Sequence, residues 1–454
     1  MTTTTTAVPP ALLRNWLTGC LLALLAFGAC WTGTIVYWRA QDNDPGFGAL
    51  LFYLFLLPGA LLAGALVTRQ RLAGPAGVVV AAPLPALPIT PVQTVAAQPL
   101  AILATALRSP HGSSVNEVAS ALAGQRARPA LDPTLADPDG YPLPTARCAS
   151  ADDPALQAEI TGWLAANDLA APFRDEDWRA LLLGTQVARE LTATAVAALL
   201  EEGQATPALQ LAPILPSGWS ASGRHAASLW LHHTIAQAGW PLERIELAVP
   251  VGTDLVDPVP AVLLDQLAVR AATGPVTCLL IACASHLGED TIAAWSASAT
   301  LFTSARPQGH IPGEGAVGLL LADAAQASGS ALLAPLHSAR RDTSADATRG
   351  PIPPLLTELA HAAGDPAALA LIVADTSPRP SRMLELMSFA GSAATQLDDQ
   401  QDIVTFGHAS GACGAVPALT ALALASHHAL VRQAPVLWVS NEDPFQRVVA
   451  VVSA

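Results

Sequence analysis

Two long stretches without a charged residue, 16–38 and 47–67, constrain this chain more than any other feature of it. Each is at or just above the roughly 20 residues that a helix needs to cross a ~30 Å hydrocarbon core. A cleaved leader has a shorter apolar segment and a small-residue cleavage site. Here Trp16, Tyr37 and Trp38 bracket the first stretch, where membrane interfaces collect aromatic rings. We expect a two-helix transmembrane hairpin within residues 1–71, touching membrane lipid through residues 16–67. Arg14 precedes the first span, Arg69 and Arg71 follow the second, and the segment between them, Arg39-Ala-Gln-Asp-Asn-Asp-Pro45, is net acidic. The positive-inside rule then places both termini and everything beyond the hairpin in the cytoplasm, at the inner membrane. Pro58 and Gly59 are tolerated within a membrane helix.

Composition supports an apolar anchor joined to a folded domain. Hydrophobic residues make up 52% of the chain and charged residues 13%, and much of the excess lies in the two spans. The formal net charge of -14 excludes nucleic acid as a partner, because phosphate binding needs a basic surface. None of the six cysteines forms a C-x-x-C pair or a Cys/His cluster at zinc spacing, so no metal is expected. Scattered cysteines suit a reducing compartment with free, mostly buried thiols. Residues 72–98, with Pro75, Pro83, Pro85, Pro88 and Pro91, read as a semi-extended linker.

From residue 99 onward, short strand-like runs alternate with amphipathic helical stretches, the pattern of an α/β fold with covered sheets. The first unit is a buried run from Leu100, a turn at Ser109-Pro-His-Gly112, and a helix capped by Ser113 or Ser114. Helices are expected over 179–203 and 223–239, with a strand and its glycine turn at 209–218 between them. A buried strand follows at 276–282. Then come Ile311-Pro-Gly-Glu-Gly-Ala316, the segment Ala370-Leu-Ile-Val-Ala-Asp-Thr-Ser-Pro378, and Phe406-Gly-His-Ala-Ser-Gly-Ala-Cys-Gly-Ala415.

In this order the segments resemble the β-ketoacyl-ACP synthases. The opening turn is similar to that family's S-P-x-G turn, residues 311–316 to its P-G-E-G-A entry, and residues 407–414 to its second histidine motif. The resemblance covers residues 99–454. It implies a thiolase-like five-layered αβαβα fold of two pseudo-symmetric halves, about 99–330 and 331–454, preceded by the transmembrane hairpin.

The family's condensation needs a cysteine thiolate at a helix N-terminus and two histidines that stabilise charge at the thioester carbonyl. The strand at 245–251 should lead into the nucleophile turn, and the helix after it should run from about Val259 to Thr273. Between them lies Gly252-Thr-Asp-Leu-Val-Asp-Pro258, which holds no cysteine. Asp257, ahead of Pro258, reads as a helix cap near the lost nucleophile position. Asp375 stands at the first-histidine position. His408 retains the second, either as a structural remnant or as part of a surviving pocket. Ile403 replaces the lysine five residues before it, and Ser440-Asn-Glu-Asp-Pro-Phe445 replaces the terminal glycine-phenylalanine loop. Cys283, in Ile281-Ala-Cys-Ala-Ser285, superficially copies the family's nucleophile turn and is the alternative nucleophile. A helix and another strand should then follow before Gly313. Glu314 reads as a structural acid bonding backbone amides, and His427-His428 as a solvated helix face. Gly313-Glu-Gly315 lacks the lysine of a phosphate loop.

The resemblance thus implies a membrane-anchored, non-condensing synthase-like protein acting as a scaffold or partner subunit. Its partners would be a second copy or an active synthase, and an acyl carrier protein. An acyltransferase using Cys283 or His408 on acyl-ACP or acyl-CoA is the enzymatic alternative. An accessory role in an envelope or secretion assembly is a third. No cofactor is implied.

Overall fold

The computed structural model describes Thr32 and residues 96–201, 203, 205–248, 260–326, 329–345 and 354–454. The expected transmembrane hairpin, most of the linker and Asp257 lie outside the described residues. Among those residues no helix is long and apolar enough to cross a membrane.

In chain order the elements are β1 (Leu100–Arg108), α1 (Val115–Ala123), β2 (Ala130–Ala136), β3 (Pro142–Thr145), α2 (Pro154–Ala166) and α3 (Asp175–Glu201). Next come β4 (Leu209–Ile214), α4 (Ala221–Gln237), β5 (Ile245–Leu247), α5 (Pro260–Ala271), β6 (Thr277–Ser285), α6 (Glu289–Ala297) and β7 (Glu314–Asp323). The remainder is β8 (Ala331–Leu333), β9 (His337–Arg340), α7 (Leu355–Ala363), β10 (Leu371–Ala374), α8 (Pro380–Ala393), β11 (Ile403–Thr405), α9 (Gly407–Ser410), α10 (Val416–Arg432), β12 (Val436–Ser440) and β13 (Gln446–Ser453).

Local chemistry explains the boundaries. Ser114 caps α1 by accepting from the Glu117 N–H, while the Glu117 carboxylate accepts from the Ser113 N–H at 2.7 Å. Such reciprocal capping satisfies donors that a helix start leaves orphaned. Asp153 caps α2 ahead of Pro154, whose missing N–H costs nothing there. Helix α3 begins four residues earlier than the sequence reading, because Asp175, Glu176 and Asp177 fill its first turn and suit the positive end of the dipole.

One path of strands runs β11-β10-β12-β13-β8-β1-β7-β6-β4-β5. Its two ends repeat one design. Numbering each set of five by chain order, β1, β4, β5, β6 and β7 lie in the order 3-2-4-5-1 from the edge inward, and β8, β10, β11, β12 and β13 do the same. In both sets the fifth strand is antiparallel to its neighbours. The repeats meet where β1 pairs antiparallel with β8.

Side-chain alternation divides the core into layers. Cys278, Leu280 and Ala282 of β6 pack with α5, α10 and the facing residues Val373 of β10 and Trp438 of β12. The opposite face of β6, Leu279, Ile281 and Cys283, packs on α2, α3 and α4. Ile372 of β10 and Leu437 of β12 face the other way, onto α7 and α8. Helices α5 and α10 thus lie between the two halves of the strand path, with α2, α3 and α4 outside one half and α7 and α8 outside the other. Because helices cover both faces, β6 is buried at every position and reads as a continuous apolar run.

The middle position of α10 corrects the reading of His427-His428 as a solvated face. Both rings are half-buried, and burial, reinforced by His427 and Arg432, pushes His428 down to about 4.

Candidate functional site

A cleft of about 760 Å³ lies at the carboxyl ends of the parallel strands of both repeats. Residues at the ends of β4 (Ile214), β6 (Ser285), β10 (Asp375) and β12 (Ser440) line it, as do Pro260 at the start of α5 and Pro417 at the start of α10. Crevices outside the carboxyl ends of strands are where open α/β sheets place ligands.

Asp375 is 3% exposed at the end of β10. Its Oδ2 accepts from the Ser440 hydroxyl at 2.6 Å, and its Oδ1 from the N–H groups of Asn441 at 2.9 Å and Glu442 at 3.2 Å. Burial pushes its carboxyl up to about 6, against these donors and with the Glu442 charge adding to the rise. The neighbouring turns are tied in return. Thr376 donates to the Asn441 side chain at 2.6 Å, and the Ser377 N–H donates to the Glu442 carboxylate at 3.0 Å. Arg379 pairs with Glu442 at 3.6 Å and contacts His310 at 2.7 Å. Asp375 is therefore a carboxylate that fastens the turn after β12 to the turn after β10.

Cys283 also borders the cleft, but it belongs to the face of β6 that packs on α3, where a Cβ added at Gly184 would meet its Sγ at 3.0 Å. Burial pushes this thiol up to about 12, so it carries no thiolate at neutral pH. Helix α6 follows it with no strand before β7, unlike the nucleophile arrangement described above. His408 lies in α9 and is not among the residues lining the cleft. Its Nδ1 is buried with no hydrogen-bond partner, and burial, then the charges of Arg128 and His111, lower its pKa. No hydrogen bond joins it to Cys283 among the described residues. The four described cysteines are buried and free.

The glycine motifs around these positions serve a backbone crossing. A Cβ on Gly313 would run into the carbonyl of Ser410, and one on Gly407 into that of Asp375. The two segments are held together by the Ala412 N–H donating to Ile311 O at 2.8 Å and by His286 bonding Ala412 O at 2.7 Å. Glu314, 1% exposed, is the structural acid expected: it accepts from the Cys148 N–H at 2.7 Å, from the Ser285 hydroxyl at 3.0 Å and from Arg179 at 2.6 Å. Sequence reasoning missed the aromatic wall, where Trp295 lies 5.1 Å from His286 and 5.0 Å from His310. No local pattern marks it, since Trp295 comes from α6 and the two histidines from the separate segments before and after that helix. Among the described residues no group of His, Cys, Asp and Glu gathers at metal-holding geometry.

No family model matches the chain, and no curated protein matches it. Solved structures do. The ketosynthase from module 6 of the bacillaene synthase of Bacillus subtilis 168 superposes with a TM-score of 0.53 at 12% identity, over 78% of this chain and 72% of that one. A type II polyketide synthase acyl-carrier protein in complex with its ketosynthase bound to the hexaketide, AntDE:AntF, gives 0.53 at 13% identity, over 79% and 100%. The ishigamide ketosynthase/chain length factor gives 0.52 at 13%, over 79% and 100%. The described residues from 96 onward thus have a ketosynthase-like, thiolase-type fold.

Proposed function

We propose that the chain is a non-condensing ketosynthase-like protein that acts as a partner subunit or scaffold. The observation carrying this reading is the state of Asp375. It occupies the expected first-histidine position, and both of its oxygens already hold the turn at 440–442. A group so committed cannot reorganise around a thioester carbonyl as charge develops there. Two further features support it: Cys283 packs its sulfur into the core, and His408 stands outside the cleft lining. The acyltransferase alternative needs one of these two groups in the cleft as a working nucleophile or base.

The neighbours suggest the class of partner. One is a ketosynthase with its acyl-carrier protein and another a ketosynthase/chain length factor. By that likeness we assign this chain a synthase-like second subunit, either its own copy or an active synthase, and an acyl carrier protein as its contact. We further assign residues 16–67 to the inner membrane, with the folded part in the cytoplasm; the supporting features are the charge-free lengths and the flanking arginines.

The test is incubation of the purified full chain with radiolabelled malonyl- and acyl-ACP. No covalent label is expected. Label that disappears in Cys283→Ala would overturn the reading.

A further inference from the structure

The ring of His286 has one nitrogen to spare. This residue follows Ser285, the last of β6, and lines the cleft at the carboxyl end of that strand. Its main-chain N–H donates to Gly313 O at 3.0 Å, and the Trp295 ring lies 5.1 Å from its imidazole. The ring Nδ1 stands 2.7 Å from Ala412 O. A carbonyl accepts and never donates, so in the neutral imidazole the proton is on Nδ1 and Nε2 keeps its lone pair. Nε2 has no hydrogen-bond partner among the described residues, and it is not one of the polar side-chain atoms sealed from solvent. A held ring with one accessible, unprotonated nitrogen is the form in which histidine serves as a general base.

The surrounding wall defines what such a base can act on. The cysteines there and the serine beside His286 are withheld as nucleophiles. Burial pushes the Cys283 and Cys413 thiols up to about 12, and the Ser285 hydroxyl donates to Glu314 at 3.0 Å. Water is the nucleophile that a free base in this cleft can activate. The turn that holds the ring continues as Cys413-Gly414-Ala415, which also lines the cleft. The N–H groups of these residues donate to no acceptor among the described residues. Gly414 has φ +61°, and Ala415 after it is helical at φ −79°. In such turns successive N–H groups converge on a concavity that takes a negative oxygen. Trp219, Trp295 and Phe302 supply an apolar wall for a chain.

We propose that the cleft hydrolyses acyl thioesters, with His286 as the general base. The acyl chain lies along the aromatic wall. Nε2 takes a proton from a water molecule as the water oxygen bonds to the carbonyl carbon, and the carbonyl oxygen, now negative, is met by the N–H groups of the 413–415 turn. The intermediate collapses as the carbon–sulfur bond breaks, and the imidazolium returns the proton to the leaving thiolate. The products are a free acid and a free thiol, with no change of oxidation state and no bond to the protein. For its substrate this inference rests on the assignment of an acyl carrier protein as contact. It goes beyond that assignment by giving the cleft a reaction that needs neither Asp375 nor a cysteine.

The test is incubation of the full chain in detergent with hexanoyl-ACP and, separately, with hexanoyl-CoA, following release of hexanoic acid. Release above the protein-free rate is expected with at least one of them, and the pair tells a carrier-bound source from a coenzyme-bound one. His286→Asn, whose amide can still donate to Ala412 O, should lower the rate about 100-fold, with near-ultraviolet circular dichroism showing the native signal. Added imidazole should restore part of the rate to His286→Ala, and Cys283→Ala should leave the rate unchanged. The protein-free rate with both thioesters, an undiminished rate in a folded His286→Asn, no rescue of a folded His286→Ala, or loss of release in Cys283→Ala would each overturn the proposal. Release from hexanoyl-CoA but not from hexanoyl-ACP would remove the carrier contact and leave the hydrolysis standing, so the two failures are distinguishable.

Discussion

Asp375 is a buried carboxylate whose two oxygens both hold the turn at 440–442. Its carboxyl is raised to about 6 in the fold, above the ordinary aspartate value of 3.8. Between those values the native state binds the proton and the unfolded chain does not, so this group makes stability fall as pH rises from about 4 to about 6. Asp375→Asn keeps the acceptor for the 441 and 442 N–H groups and removes the charge. In urea unfolding, the variant should gain stability over the native protein across that window, by on the order of 2 kcal/mol at pH 8. The opposite slope would mean that the carboxylate is held ionised by the turn. Gly313 sets a different limit. Because a side chain there would meet Ser410 O, Gly313→Ala should cost about 2–4 kcal/mol, read as a lower urea midpoint. At this scale the sequence was readable where a motif has a fixed spacing: the placement of Asp375 after β10 and the structural role of Glu314 both follow from it. The His286–Trp295–His310 wall was not, because nothing in a local window reports that one ring of α6 meets histidines on both flanking segments.

Helix α10 carries the clearest element-scale consequence. It runs through the middle layer, with Leu419, Leu422 and Leu424 all buried, so the polar His427-His428 pair near its end is half-buried. His428, lowered to about 4, stays neutral in the fold, whereas the unfolded chain takes up its proton near 6.5. Its contribution is therefore complete above about pH 6.5 and is lost as pH falls through 4. His428→Gln should resist acid better than the native protein, with a smaller loss of thermal midpoint between pH 7 and pH 4.5. A larger loss would contradict the burial argument. The sequence showed α10 as a helix but not its layer. Two consecutive polar residues near a helix end look solvated until strands of both repeats are known to flank the helix. Strands such as β6 were easier, since continuous apolar runs have few alternatives.

For the whole molecule, the repeated strand order is the fact that composition and periodicity could not supply. Alternating elements indicated an α/β fold, but the 3-2-4-5-1 order in both repeats depends on pairings such as β1 with β7 and β6 with β4, between residues far apart in the chain. Only the ordered motifs of the resembled family pointed to it. The charge-free stretches lead to a prediction at the same scale. Full-length protein should stay with membranes through alkaline carbonate washing, and a chain beginning at Gln93, where the compact unit starts, should be released. Release of the full-length form would remove the anchor from the account. The central claim is that a ketosynthase-like fold has been kept while the condensing constellation around Asp375, Cys283 and His408 has been lost. Carbon dioxide release from carboxyl-labelled malonyl-ACP tests it most directly, because decarboxylation depends on charge stabilisation at the thioester carbonyl. The account predicts release at the rate of malonyl-ACP alone; release above that rate, abolished in His408→Ala, would contradict it.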